Sequence, residues 1–238
     1  MNYSDKYKLA TGTPGFKPSS PSLNTSQKYL FPNTLPPTRF PWPKEFTGLE
    51  RVAFSAKGDL QRMLSAFFAR PITIATVYSN TFYQPTSQQP SAPLTLPNPA
   101  AIASVSRDSP ITQTREVHLQ CSNKTVCTAT STVRITSPAV ANLFLVEKYA
   151  IGQTFSRMGK VPEFELVSVG LGPVTDAVPA PSCPEEPHSA DVQLWRKYRL
   201  YVEDFECDIL EVFPTRKMFV GGTHWLEDGH IRVPESLK

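Results

Sequence analysis

In TREVHLQC, residues 114–121, side chains on an extended backbone alternate between two faces. Val117, Leu119 and Cys121 fall on one side, and Glu116, His118 and Gln120 on the other. That is the pattern of a strand with one buried face. Arg115 belongs to the apolar side. A guanidinium stays charged at any ordinary pH, and burying an isolated charge is costly. A core strand carrying Arg115 therefore requires a partner for it, from within the chain or from outside.

Working outward, residues 126–135 form a second β-type run, and SNKT between the two predicts a hairpin. Upstream, Leu60, Met63, Leu64, Phe67 and Phe68 in GDLQRMLSAFFAR repeat at helical spacing, with Asp59 placed as N-cap. PITIATVYS at 71–79 reads as a strand, and the following thirty residues as loop. Downstream, Ser137 and Pro138 open a helical stretch through Val140, Leu143, Phe144 and Glu147, and AIGQTFSRMG starts a second short helix. FELVSVG at 164–170 is strand-like, and KYRLYVE and ECDILEVF flank a tight turn at Asp204-Phe205. Clustered helices and hairpin-linked strands predict an α+β domain with a largely antiparallel sheet and helices on one side.

The last strand repeats the first anomaly. In CDILEVF, Cys207, Ile209, Glu211 and Phe213 share a face, so Glu211 sits among apolar neighbours. Two readings follow. Arg115 and Glu211 pair with each other, or one of them reaches solvent at a sheet end. Alternatively they face a ligand pocket, where the guanidinium grips a carboxylate and the glutamate addresses a hydroxyl or a transferable proton.

Composition narrows the function classes. The 24 prolines among 238 residues are about twice the usual share. They concentrate in an irregular N-terminal arm over residues 1–45 and in loops at 90–99 and 173–187. The domain proper is expected over 46–238, with a proline-rich insertion at about 173–193 and a tail packed against it from about 215. A dispersed net charge of +3 gives no footprint for nucleic acid, and WRKYRLY at 195–201 would be split between two strand faces. With no apolar leader, no run long enough to span a membrane and four cysteines without CxxC spacing, the expectation is a soluble cytoplasmic protein with reduced thiols. The oligomeric state stays open. His118, His188, His224 and His230 lack metal-site spacing, so no metal is expected. There is no nucleophile elbow, P-loop or dinucleotide-binding fingerprint, and VGLGP at 169–173 reads as a turn. Cys121 and Cys183 make poor nucleophile candidates, Arg134 and Arg157 read as surface residues, and no cofactor is implied.

The order of segments resembles the chorismate pyruvate-lyase family. GDLQRML, TREVHLQC, VCTATSTVRITS, YAIGQTF, FELVSVG, LWRKYRL and ILEVFP follow one another in the family's register, from about Leu49 to Pro214. The resemblance implies a single antiparallel sheet with helices packed on it, enclosing a ligand in an interior cavity beneath mobile flaps. It implies that Arg115 binds a substrate carboxylate, that Glu211 contacts the ring hydroxyl region, and that Leu60, Ile151 and Gly152 line the pocket. The implied activity is cofactor-independent elimination, isomerisation or cyclisation on a small carboxylated or hydroxylated ring. Two departures bear on substrate choice. Where the family has A-G-R-T, this chain has Ala129-Thr130-Ser131-Thr132, and Gln153 stands after the L-G-type step in place of arginine. Fewer cations suggest fewer carboxylates on the substrate. Authentic chorismate lyase activity, a related non-redox biosynthetic reaction, a non-catalytic ligand-binding module and a purely structural ion pair are the alternatives carried forward.

Overall fold

Two tight hairpins build the middle of the sheet. Strand β3 runs over Ile111–Cys121 and returns as β4 over Lys124–Ile135. Only Ser122 and Asn123 make the turn, both left-handed at φ 49° and 64°. That geometry matches strand twist, so no glycine is needed, and Lys124 and Thr125 belong to the strand rather than the loop. The second hairpin joins β6 (Leu194–Val202) to β7 (Phe205–Phe213). Its turn is Glu203-Asp204, one residue earlier than expected. Phe205 is fully buried, while Asp204 takes the left-handed conformation at φ 72°.

The computed structural model describes residues 40–86, 88–174 and 191–228. With β1 (Ile72–Tyr83), β2 (Ala92–Pro93) and β5 (Glu163–Leu171), the strands form one antiparallel sheet in the order β2-β1-β3-β4-β7-β6-β5. This is the expected α+β architecture. The helices are α1 (Gly48–Phe54), α2 (Leu60–Phe68), α3 (Pro99–Ala103), α4 (Pro138–Ala141), α5 (Ile151–Arg157), α6 (Lys217–Gly221) and α7 (Thr223–Glu227). A π-helical turn, Asn142–Val146, continues α4. None is long and apolar enough to cross a membrane.

The two clusters of buried apolar residues lie on one face of the sheet. Toward one end, Leu60, Leu64 and Phe68 of α2 pack with Leu119, Cys127 and Phe213, and α6 and α7 add Met218, Phe219 and Trp225. Toward the other, Phe144, Ile151 and Phe155 pack with Ile111, Val133, Phe205 and Ile209. The opposite face carries Lys197, Arg199 and Asp208 in solvent, and half-buried His118 there lies 3.6 Å from Glu116.

Several elements fall where the sequence was read as irregular. Helix α1 lies just past the arm. Thr47 and Glu50 close a reciprocal cap in which Thr47 Oγ1 accepts from the Glu50 amide and the Thr47 amide donates to Glu50 Oε2. The packed chain also begins before residue 46, because Phe40, Trp42 and Phe46 step ring against ring toward Phe54. The thirty residues read as loop contain the end of β1, β2 and α3, and the Asn98 side chain caps α3 through the Ala101 amide at 3.0 Å. Asp59 and Ser137 occupy the expected N-cap positions, but neither side chain makes a capping bond. The rest of the arm, Cys183 and most of the insertion lie outside the described residues.

Candidate functional site

Register fixes what faces what. On the covered face, Arg115 of β3 stands opposite Ser131 of β4, which stands opposite Ile209 of β7 and then Tyr198 of β6. The next row along is Val117, Ala129, Glu211 and Arg196. Arg115 and Glu211 thus share a face but are separated by β4 and one row, about 12 Å between Cα atoms from strand spacing and rise. They do not pair with each other.

Glu211 is claimed by β6 instead. Arg196 Nε donates to Glu211 Oε2 at 2.6 Å, and Tyr198 Oη donates to Oε1 at 2.8 Å. Arg196 Nη1 also donates to the carbonyls of Ala53, Phe54 and Ala56. Ala53 and Phe54 end α1, where carbonyls run out of intrahelical donors; the Ala53 carbonyl also accepts from the Ala56 amide at 3.2 Å. The guanidinium lies 4.4 Å from the centroid of the Tyr198 ring. Arg196 is fully buried; burial alone would lower its pKa, but the charge and hydrogen bond of Glu211, with Tyr198, outweigh that and raise it. Burial likewise pushes the Tyr198 hydroxyl well above its ordinary value, and Glu211 adds to the shift. A second buried fork ties α1 to the chain after β7: Arg216 Nε and Nη2 reach Glu50 Oε1 and Oε2 at 2.7 and 2.8 Å.

Arg115 has no such partner. Its Nε lies 3.4 Å from Ser131 Oγ, and its guanidinium sits 5.1 Å from the centroid of the Phe144 ring, presented by the π-helical turn. It makes no ion pair with any described residue. Burial lowers its pKa, opposed only by the Cys207 thiol.

A pocket of about 450 Å³ opens over this row. Arg115, Val117, Ala129, Ser131, Tyr198 and Glu211 form its floor, and Leu60 of α2 and Ile151 and Gly152 of α5 stand at its sides. All five residues singled out from the sequence therefore line one pocket. The two sides meet where a Cβ on Gly152 would lie 3.4 Å from the Gly58 carbonyl oxygen. Gly58 has φ +83°, and a Cβ there would come within 2.9 Å of the Leu200 side chain, so both a backbone conformation and a close approach favour glycine. A depression of about 510 Å³ between α1 and α2 contains none of the five.

The two departures from the family pattern now have positions. Ala129 and Ser131 face the pocket and Thr130 and Thr132 point away. Gln153 Oε1 accepts from the Ala150 amide at 3.1 Å, closing the first turn of α5. Sequence reading missed two cations. Arg62, exposed on α2, also lines the pocket. Arg196 was legible by the test applied to Arg115, since Leu194, Arg196, Tyr198 and Leu200 alternate as one apolar face carrying a charge.

Cys121, Cys127 and Cys207 are free and buried, and burial raises the pKa of each thiol, with Glu211 adding to the effect at Cys127. None is poised as a thiolate. Among the described residues no group of three or more His, Cys, Asp or Glu side chains could hold a metal ion. Compared with protein-family models and with curated proteins, the chain matches none.

Proposed function

We propose that the protein is a cofactor-independent enzyme of chorismate-lyase type, with the pocket as an interior cavity for a small carboxylated ring. The observation that carries this reading is Arg115: a half-buried guanidinium, without a carboxylate partner among the described residues, on the floor of a pocket that it shares with Glu211. A ligand carboxylate accepting both terminal N–H groups would supply the missing counter-charge. The apolar sides formed by Leu60 and Ile151 would exclude water and strengthen that contact. Glu211 spends one hydrogen bond per oxygen on Tyr198 and Arg196 and retains lone-pair capacity for a ring hydroxyl.

For chorismate, the C4 hydrogen leaves as a proton and the ring–ether bond breaks, its electrons going to the departing oxygen; the enolpyruvate released takes up a proton and becomes pyruvate. The ring becomes aromatic, which supplies the driving force. The protein's task is to orient and desolvate a flexible dianion. Metal and redox chemistry are not needed for these steps. A second reading, a related reaction on a substrate with fewer carboxylates, is favoured by one observation: among the described residues, Arg115 is joined in the lining only by exposed Arg62 as a cation without an ion-pair partner. A cytoplasmic setting fits the free thiols at 121, 127 and 207.

The test is incubation with chorismate, following 4-hydroxybenzoate and pyruvate, for wild type and Arg115→Ala. Stoichiometric products from the wild type, lost in a variant that melts at the same temperature, would support chorismate lyase. Saturable binding without turnover would leave a binding module. No product and no binding of carboxylated rings would remove the reading. Glu211→Gln is the poorer probe, because it also leaves buried Arg196 short of a counter-charge.

A further inference from the structure

Around Glu211 the protein commits most of its own donors. The only O–H of Tyr198 is directed at Glu211 Oε1, and Arg196 Nε and Nη1 are committed to Glu211 and to the carbonyls after α1. Arg196 Nη2 is buried away from solvent and has no partner. Arg196 does not line the pocket, whereas Tyr198 and Glu211 do. The Tyr198 ring is held between the Arg196 guanidinium and the Phe164 ring, 5.4 Å away, so the hydroxyl is not free to swing toward a ligand. What this end of the pocket offers a ligand is therefore acceptor lone pairs.

We infer that Tyr198 is a positioning residue: with Arg196 it fixes Glu211 as an oriented acceptor, so the ligand end remote from Arg115 must bring a hydrogen-bond donor, and a second carboxylate there is rejected. This rests on the proposal that the pocket takes a carboxylated ring at Arg115. The high pKa of the Tyr198 hydroxyl keeps its proton in place as donor across the ordinary range. A ligand lacking the donor would bury Glu211 with an acceptor site unfilled, a loss of about tenfold to a hundredfold in affinity. A ligand with a carboxylate at that end would meet Glu211 as a like charge.

Calorimetric titration of the full chain with benzoate, 4-hydroxybenzoate and terephthalate separates the possibilities. Wild type should bind 4-hydroxybenzoate at least about tenfold more tightly than benzoate, and terephthalate more weakly than either. Tyr198→Phe should cut the hydroxyl preference, the ratio of the two affinities, to about threefold or less, a change of ratio that a merely structural role would not give. Arg115→Gln should weaken benzoate and 4-hydroxybenzoate together. Benzoate binding that depends on Arg115, with a hydroxyl preference indifferent to Tyr198→Phe or with both ligands weakened equally by it, overturns this inference and leaves the pocket reading standing. No benzoate binding to the wild type overturns both. Should Tyr198→Phe not fold, the wild-type order of the three ligands decides alone, and terephthalate binding as well as 4-hydroxybenzoate would refute the inference.

Discussion

Arg196 and Arg115 are the same residue type on the same, largely apolar face of one sheet, and the fold treats them oppositely. Arg196 has a carboxylate at 2.6 Å and three carbonyls for its Nη1. Arg115 has a hydroxyl at 3.4 Å and the ring of Phe144. Burial and charge act on both, and the balance differs: the nearby carboxylate raises the pKa of Arg196, while desolvation lowers that of Arg115. A charge on a buried strand face can thus be tied within the fold or left without a counter-charge among the described residues. The surrounding partners, not the residue type, tell them apart.

The contrast can be broken experimentally, most forcefully at Arg196. Arg196→Met should cost about 3–5 kcal/mol, because it leaves Glu211 buried without its cation and removes the side-chain donor to the Phe54 and Ala56 carbonyls. Urea unfolding measures this. The double variant Arg196→Met/Glu211→Leu should recover much of the loss, since an apolar replacement of the whole pair removes the stranded charge. A loss below about 1 kcal/mol in the single variant would mean that Arg196 is no tie.

Arg115→Met sharpens the comparison from the other side. It removes a partly desolvated charge that no described residue neutralises, so the stability change should stay within about 1 kcal/mol. A loss beyond about 2 kcal/mol in the same unfolding experiment would make Arg115 structural and remove the main support for the pocket. The smallest effect should come from Arg107→Ala. Arg107 pairs with Glu203 at 2.6 Å, but the two side chains are 73% and 64% exposed, so melting should shift by no more than about 0.5 kcal/mol allows.

The central hairpin, the helix over 60–68 and the inward face of Arg115 were readable because strand and helix periods are local properties of the chain. Helix α1 was readable too, from Thr47-x-x-Glu50, as was the buried charge in LWRKYRL. The partner of Glu211 was not. A turn at Asp204-Phe205 would have brought Tyr198 opposite Glu211 and left Arg196 opposite Phe213. The observed turn at Glu203-Asp204 shifts the pairing by two residues and sets Arg196 against Glu211. Both registers keep the same side chains on the same face, so alternation is blind to the choice.

What the sequence by itself determined is the class of fold and the side of the sheet to which Arg115 and Glu211 point. The tertiary structure decided that they do not pair, that Arg196 and Tyr198 hold Glu211, and that Leu60 and Ile151 close on Arg115 from helices distant in sequence. The division has a physical cause. Which face a side chain occupies is set by backbone geometry within a few residues, whereas which charges meet is set by strand register and helix docking, where contacts far apart in the chain compete.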